Sequence, residues 1–161
     1  MATSALSLSA RKTLFLGLDG VMHHSRSKLS GLLSRMPVLE EALGTAPVDI
    51  VLLSCWGAGS DIDHLKAAFP PSLRSRVVGR TTAVPGSLFK RFKEIQNWLG
   101  PVQVPDWRAL DVDPLDYPDP CKELIICSPH LGMGSAQGLA LKYWIQTPSP
   151  APPDLWHLFP R

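Results

Sequence analysis

Five short apolar runs alternate with helix-like stretches along this chain, and that alternation constrains its fold more than any other feature. The runs are TLFLGL (13–18), VDIVLLS (48–54), RVVG (76–79), WRALDV (107–112) and KELIICS (122–128). Interleaved with them are PVLEEALG (37–44), SDIDHLKAAF (60–69), SLFKRFKEIQNWLG (87–100) and SAQGLALKYWIQ (135–146). Continuous apolar runs suit strands covered on both faces. Alternation of such strands with helices predicts a parallel sheet between helical layers, joined by right-handed crossovers.

Helix signals sharpen the reading. Pro37 and Gly44 bracket the first helix. Ser60 is a natural N-cap for the second, which Pro70 and Pro71 stop. In the third, Leu88, Phe92, Ile95 and Leu99 recur at helical spacing and are expected to pack inward. Lys90, Lys93, Glu94 and Asn97 are expected to face water.

A chain of 161 residues with 45% hydrophobic and 19% charged residues suits one soluble globular domain. The expected organisation is a flexible N-terminus (1–11), one domain (12–146) and a Pro-rich tail (147–161). The acid-free segment MATSALSLSARK reads as a frayed terminus in preference to an organelle-targeting segment. Three cysteines without metal-ligand spacing favour reduced thiols and a cytoplasmic setting. No apolar run approaches the roughly 18 residues a bilayer requires. A net charge of +2 does not by itself argue for a nucleic-acid or membrane partner.

Ligands of open parallel sheets bind beyond the carboxyl ends of the strands. Those ends carry Gly17-Leu18-Asp19-Gly20, Ser54-Cys55-Trp56-Gly57, Asp111-Val112-Asp113 and Ser128-Pro129-His130. Three carboxylates, Asp19, Asp111 and Asp113, would meet at one sheet edge, and gathered acids call for a cation such as Mg²⁺. A hydroxyl at Ser54 and a cation at Arg91 or Lys90 would complete a phosphoryl-transfer site.

These segments resemble the haloacid dehalogenase (HAD) superfamily, and in particular its small single-domain bacterial members. LFLGLDGVMH (14–23) is similar to the family's FLDFDGVLH, LLSCWG (52–57) to SSSWR, and RFKEIQNWL (91–99) to REIxxWL. RALDVD (108–113) is similar to ALDDD, and LIICSPHLGMG (124–134) to its Pro-x-x-Gly stretch. The resemblance spans roughly residues 12–146 and implies a Rossmannoid three-layer α/β sandwich with minimal or no cap. It implies general acid–base chemistry at Asp19, phosphate binding by Ser54, Arg91 and Gly20, and Mg²⁺ ligation by Asp19, Asp111 and Asp113. The family's nucleophilic aspartate falls on Gly17, however. Val112 replaces a middle acid, and Gly57 replaces an arginine. Glycine can neither attack phosphorus nor bind metal through a side chain, so catalysis should be impaired and Mg²⁺ binding weak or lost.

Bland readings compete at each position. Asp19 could cap a turn, Asp111 and Asp113 could be solvated loop acids, and Arg91 could be an exposed helix residue. His23 and His24 read as exposed loop histidines, and Cys55 as a buried inert thiol. Arg74 to Arg80 and Lys90 to Lys93 would bracket the phosphate site, but thin aromatic interleaving makes nucleic acid a minor expectation. The leading expectation is a phosphohydrolase-family protein that binds a phosphorylated ligand as a binding or regulatory module. An active Mg²⁺-dependent phosphatase with an open site is the first alternative. A scaffold using its basic face and tail is the second. Composition and motifs leave the oligomeric state open.

Overall fold

A computed structural model describes residues 11–23, 33–54, 61–101 and 106–150. Residues 1–10 of the expected N-terminal segment and 151–161 of the expected tail, and also His24, Cys55, Gly57 and Ser60, lie outside the described residues. Five strands form one parallel sheet: β1 (Lys12–Leu16), β2 (Val48–Leu52), β3 (Val77–Arg80), β4 (Trp107–Asp111) and β5 (Leu124–Ile126). Their order is β3-β2-β1-β4-β5, with β1 at the centre. Leu16 pairs with Leu52 on one side and Leu110 on the other, so the first strand's end is flanked by two strand ends. Among the described residues, no helix is long and apolar enough to cross a membrane.

Side chains alternate across β1 and build two cores. Leu14 and Leu16 pack with residues of α1 (Met36–Leu43), α2 (Ile62–Ala67), α3 (Pro71–Arg74) and α5 (Ser135–Gln146). Phe15 points the other way, toward Val51, Ala109, Trp107, Tyr117 and Ile95 of α4 (Lys90–Leu99). Phe15 meets Trp107 edge-on, with ring centroids 5.8 Å apart. Each fully buried Leu or Phe contributes about 1.5–3 kcal/mol by leaving water. The three-layer α/β expectation therefore holds.

Three local expectations are corrected. The third helix begins at Lys90, not at position 87, because Phe89 adopts a left-handed conformation (φ 54°). Leu88, left outside the helix, is 71% exposed instead of core-facing. Pro70 and Pro71 do stop α2, yet Pro71 also opens α3, where a fixed φ suits the first helical turn. The fifth strand is limited to Leu124–Ile126 because the chain turns at Ser128, where Leu131 and Gly132 donate back to its carbonyl.

The opposite, amino-terminal edge of the sheet is held by a buried cluster around Asp106. Its carboxylate receives Lys12 Nζ at 2.5 Å, the Trp144 indole N–H at 2.7 Å and Ser149 Oγ at 2.5 Å. Burial raises the pKa of Asp106, but those donors more than offset it and hold the carboxyl below its usual range.

Candidate phosphate site

The carboxyl edge of the sheet presents Thr81, Ser54, Gly17 and Asp111 in spatial order, one from each of four neighbouring strand ends. Backbone bonds fix this row. Gly17 N–H donates to Leu110 at 2.9 Å, Leu53 N–H to Leu16 at 3.0 Å, and Thr81 N–H to Leu52 at 2.9 Å. Above it, the first two turns of α4 place Arg91 and Glu94 one helical turn apart on one face.

Glu94 is the largest departure from expectation. It is 3% exposed, not solvent-facing. The Ser54 hydroxyl lies 3.0 Å from both of its carboxylate oxygens. Thr81 Oγ1 donates to Oε2 at 2.8 Å, and Arg91 Nη1 reaches the same oxygen at 3.0 Å. Arg91 Nη1 also donates to Ser54 Oγ at 2.9 Å, and its Nε stands 3.8 Å from Asp111 Oδ2. A carboxylate so far from water is tolerable only with such partners. Helical spacing alone gave no sign of this. The available signal was chemical, because an arginine and a glutamate at i and i+3 can share one network.

Asp111 is buried as well. Val112 N–H donates to its Oδ1 at 2.8 Å, and the Tyr117 hydroxyl to its Oδ2 at 2.9 Å. Burial pushes its pKa up, partly offset by those two donors and by Arg91. The Tyr117 phenol is driven well above its ordinary value by burial and by Asp111, so it stays protonated and donates. Tyr117, delivered by the 3₁₀ turn Pro114–Asp116, was not anticipated from its Pro- and Asp-rich surroundings. Nearby, burial and Asp111 push the Cys127 thiol up to about 12, which leaves it an unreactive neighbour.

Asp19 sits apart from this buried group, its side chain 61% exposed. His23, expected in a loop facing solvent, is instead 2% exposed. Its Nδ1 accepts the Leu33 N–H at 3.3 Å, so the proton resides on Nε2, which meets Asp19 Oδ1 at 2.9 Å. An imidazole held this way positions Asp19 and is poorly placed to attack a ligand. Gly20 lies buried with φ +74°, and a Cβ there would stand 3.0 Å from Val112 Cγ1 and 3.1 Å from Pro129 Cα. Its lack of a side chain lets three loops close together. Asp113 is exposed and caps the 3₁₀ turn, accepting the Leu115 N–H at 3.0 Å.

The Mg²⁺ implied by the resemblance would need several oxygen ligands converging on one point. Among the described residues, no group of three or more His, Cys, Asp or Glu is placed to hold a metal ion. The Asp19 side chain turns to His23, which leaves only its backbone carbonyl for a metal; both oxygens of Asp111 accept hydrogen bonds, Asp113 caps a turn and Gly17 has no side chain. As arranged, these side chains do not converge on a Mg²⁺ site.

The basic residues divide between the two ends of the sheet. Arg80 ends β3 and Lys90 begins α4, both at the carboxyl edge, where Lys90 Nζ stands 3.7 Å from Asp116 Oδ2. Arg74 instead bonds Phe69 O at the end of α2, and Arg76 bonds Gly44 O at the amino edge. The expected bracket of basic residues is therefore only half formed.

A five-stranded parallel sheet whose central strand runs into the Gly17–Asp19 loop, with Ser54, Arg91 and Asp111 around it, defines a HAD-type α/β domain. Residues 13–137 match the family described as the HAD domain in Swiss Army Knife RNA repair proteins, and the chain belongs to that family. No curated protein and no solved structure matches it.

Proposed function

We propose that this chain is a HAD-family module that recognises a phosphorylated group without hydrolysing it through a phospho-aspartate. The observation that carries this reading is Gly17. It stands at the end of the central strand, where the family's nucleophile would be, hydrogen-bonded beside Asp111 through Leu110. Losing a nucleophile costs on the order of 10⁶ in rate in a well-studied hydrolase. Phosphate-directed chemistry persists around the gap, because Ser54 and Arg91 remain 2.9 Å apart at adjoining elements. The family's description names RNA repair proteins, which favours an RNA phosphate terminus as the ligand class, with Arg80 and Lys90 as nearby cations.

The test is Mg²⁺-dependent hydrolysis of an aryl phosphate by the unmodified protein, Gly17→Asp, and Gly17→Asp with Asp19→Asn. It runs beside binding of phosphate-ended and hydroxyl-ended oligoribonucleotides. The expected result is no turnover by the unmodified protein and tighter binding of the phosphate-ended strand. Activity confined to Gly17→Asp would show that one residue silences the site. Metal-dependent turnover by the unmodified protein would overturn the reading and favour direct attack by water, with Asp19 as base.

A further inference from the structure

We propose that Glu94 is a built-in anion seated where an oxyanion would bind, so that Ser54, Thr81 and Arg91 accept a phosphate only once this carboxylate is displaced. The inference rests on reading Ser54 and Arg91 as phosphate donors, and it adds Thr81 and a form of regulation to that site.

Three donors from three elements converge on one carboxylate. Ser54 comes from beyond β2, Thr81 from beyond β3 and Arg91 from α4, all within 2.8–3.0 Å of Glu94 oxygens. Two hydroxyls and a guanidinium are the groups that recognise a tetrahedral oxyanion. A carboxylate and a phosphate compete for such donors because both are anionic acceptors of similar reach. The local charge supports the competition. Arg91 is the cation of the cluster, and Glu94 at 3.0 Å and Asp111 at 3.8 Å both face it. An incoming phosphate therefore meets a cation already balanced and a carboxylate in its place. A ligand with further contacts along the sheet edge can supply what displacement requires, whereas inorganic phosphate alone does so poorly.

Neutralising or shortening Glu94 should expose the seat. Alanine is well tolerated in a helix interior and opens the volume, while glutamine keeps the volume and removes the charge. Asp111 remains opposite Arg91 in both variants, so the guanidinium keeps a partner.

The experiment titrates inorganic phosphate at fixed ionic strength, by calorimetry or ³¹P NMR, into the full chain and into Glu94→Ala and Glu94→Gln. Circular dichroism establishes that each variant is folded. Glu94→Ala is expected to bind phosphate about tenfold or more tighter than the unmodified protein, as removal of a close like charge predicts, and Glu94→Gln to gain less. Adding Arg91→Met or Ser54→Ala to Glu94→Ala should abolish the gain, and adding Thr81→Val should reduce it.

Glu94 as a mere structural pin predicts loss of stability with no gain in affinity. Folded Glu94→Ala or Glu94→Gln proteins no tighter than the unmodified one would therefore overturn the inference. Binding by the unmodified protein that already depends on Ser54 and Arg91, and does not change in Glu94→Ala, would uphold the phosphate reading and sink the internal-anion role. A gain insensitive to Ser54, Thr81 and Arg91 would count against both.

Discussion

A Cβ placed on Gly17 would lie 3.3 Å from Oδ1 of Asp111, so any side chain at this strand end would abut a buried carboxylate. It would also stand 3.1 Å from the Leu110 carbonyl and 3.3 Å from Val21 Cγ2. Adding a side chain here must push these neighbours apart by a few tenths of an ångström.

Gly17→Asp therefore faces crowding and like-charge repulsion together. Overpacking of this kind typically costs about 1–3 kcal/mol. The added charge beside Asp111 is tolerable only when a cation neutralises the pair. The expected result is a lower thermal midpoint in EDTA that recovers in part with millimolar Mg²⁺. The unmodified protein should not respond to Mg²⁺, because a ligand stabilises only what it binds. Differential scanning calorimetry of both proteins with and without Mg²⁺ checks this. A Mg²⁺-dependent midpoint in the unmodified protein would contradict it.

His23 ties the loop after β1 to the chain at Leu33, and its imidazole orients Asp19. His23→Ala removes both bonds from a position that is 2% exposed and leaves the Leu33 N–H without its acceptor. The expected loss is about 2 kcal/mol or more in urea unfolding, from an orphaned donor and a cavity. Asp19→Asn should cost far less, because Asp19 lies largely in water and an amide oxygen can still accept from Nε2. Equal costs for the two variants would mean that His23 is not the anchor.

The parallel sheet was legible because short, mainly apolar runs alternate with helical stretches, a pattern that a sheet between helical layers requires. The positions of the strand ends were legible for the same reason, because the loops that follow such runs leave the sheet at one edge. Helix faces were less legible. Glu94 has the polarity of a surface residue, and only tertiary placement of Ser54, Thr81 and Arg91 makes its burial affordable. His23 was misread similarly, because a histidine in a polar loop is indistinguishable by composition from one that fastens that loop. Leu88 failed in the other direction. The apolar spacing extended the helix back to 87, but the left-handed turn at Phe89 depends on how the chain enters the helix after Pro85 and Gly86, which periodicity does not encode.

Asp106 and Asp111 occupy opposite ends of β4 and should show opposite pH dependences. For Asp106 the folded pKa is depressed by Lys12, Ser149 and Trp144 against the effect of burial. Its contribution is present above the unfolded value of about 3.9 and is lost as pH falls through the lower folded value. Asp106→Asn should thus cost about 2–3 kcal/mol near neutral pH, through loss of a largely buried charge pair and its hydrogen bonds. That deficit should shrink toward zero in acid, where the native carboxyl is also neutral. Urea unfolding at several pH values measures the convergence. A deficit that does not change with pH would mean the carboxylate's charge contributes nothing.

For Asp111 the sign reverses. Burial raises its folded pKa despite Val112, Tyr117 and Arg91. Between the unfolded value of about 3.9 and that raised value, the folded chain retains a proton that the unfolded chain releases. Its stabilising contribution is therefore complete below about pH 4 and declines as pH rises through the folded pKa. Asp111→Asn imitates the neutral form, and its amide oxygen can still accept from the Tyr117 hydroxyl. Relative to the unmodified protein, this variant should gain stability as the pH is raised above about 4. Parallel urea titrations of Asp106→Asn and Asp111→Asn make the comparison. If both variants lose ground as pH rises, Arg91 outweighs burial at Asp111, and the carboxylate is held ionised at the floor of the site.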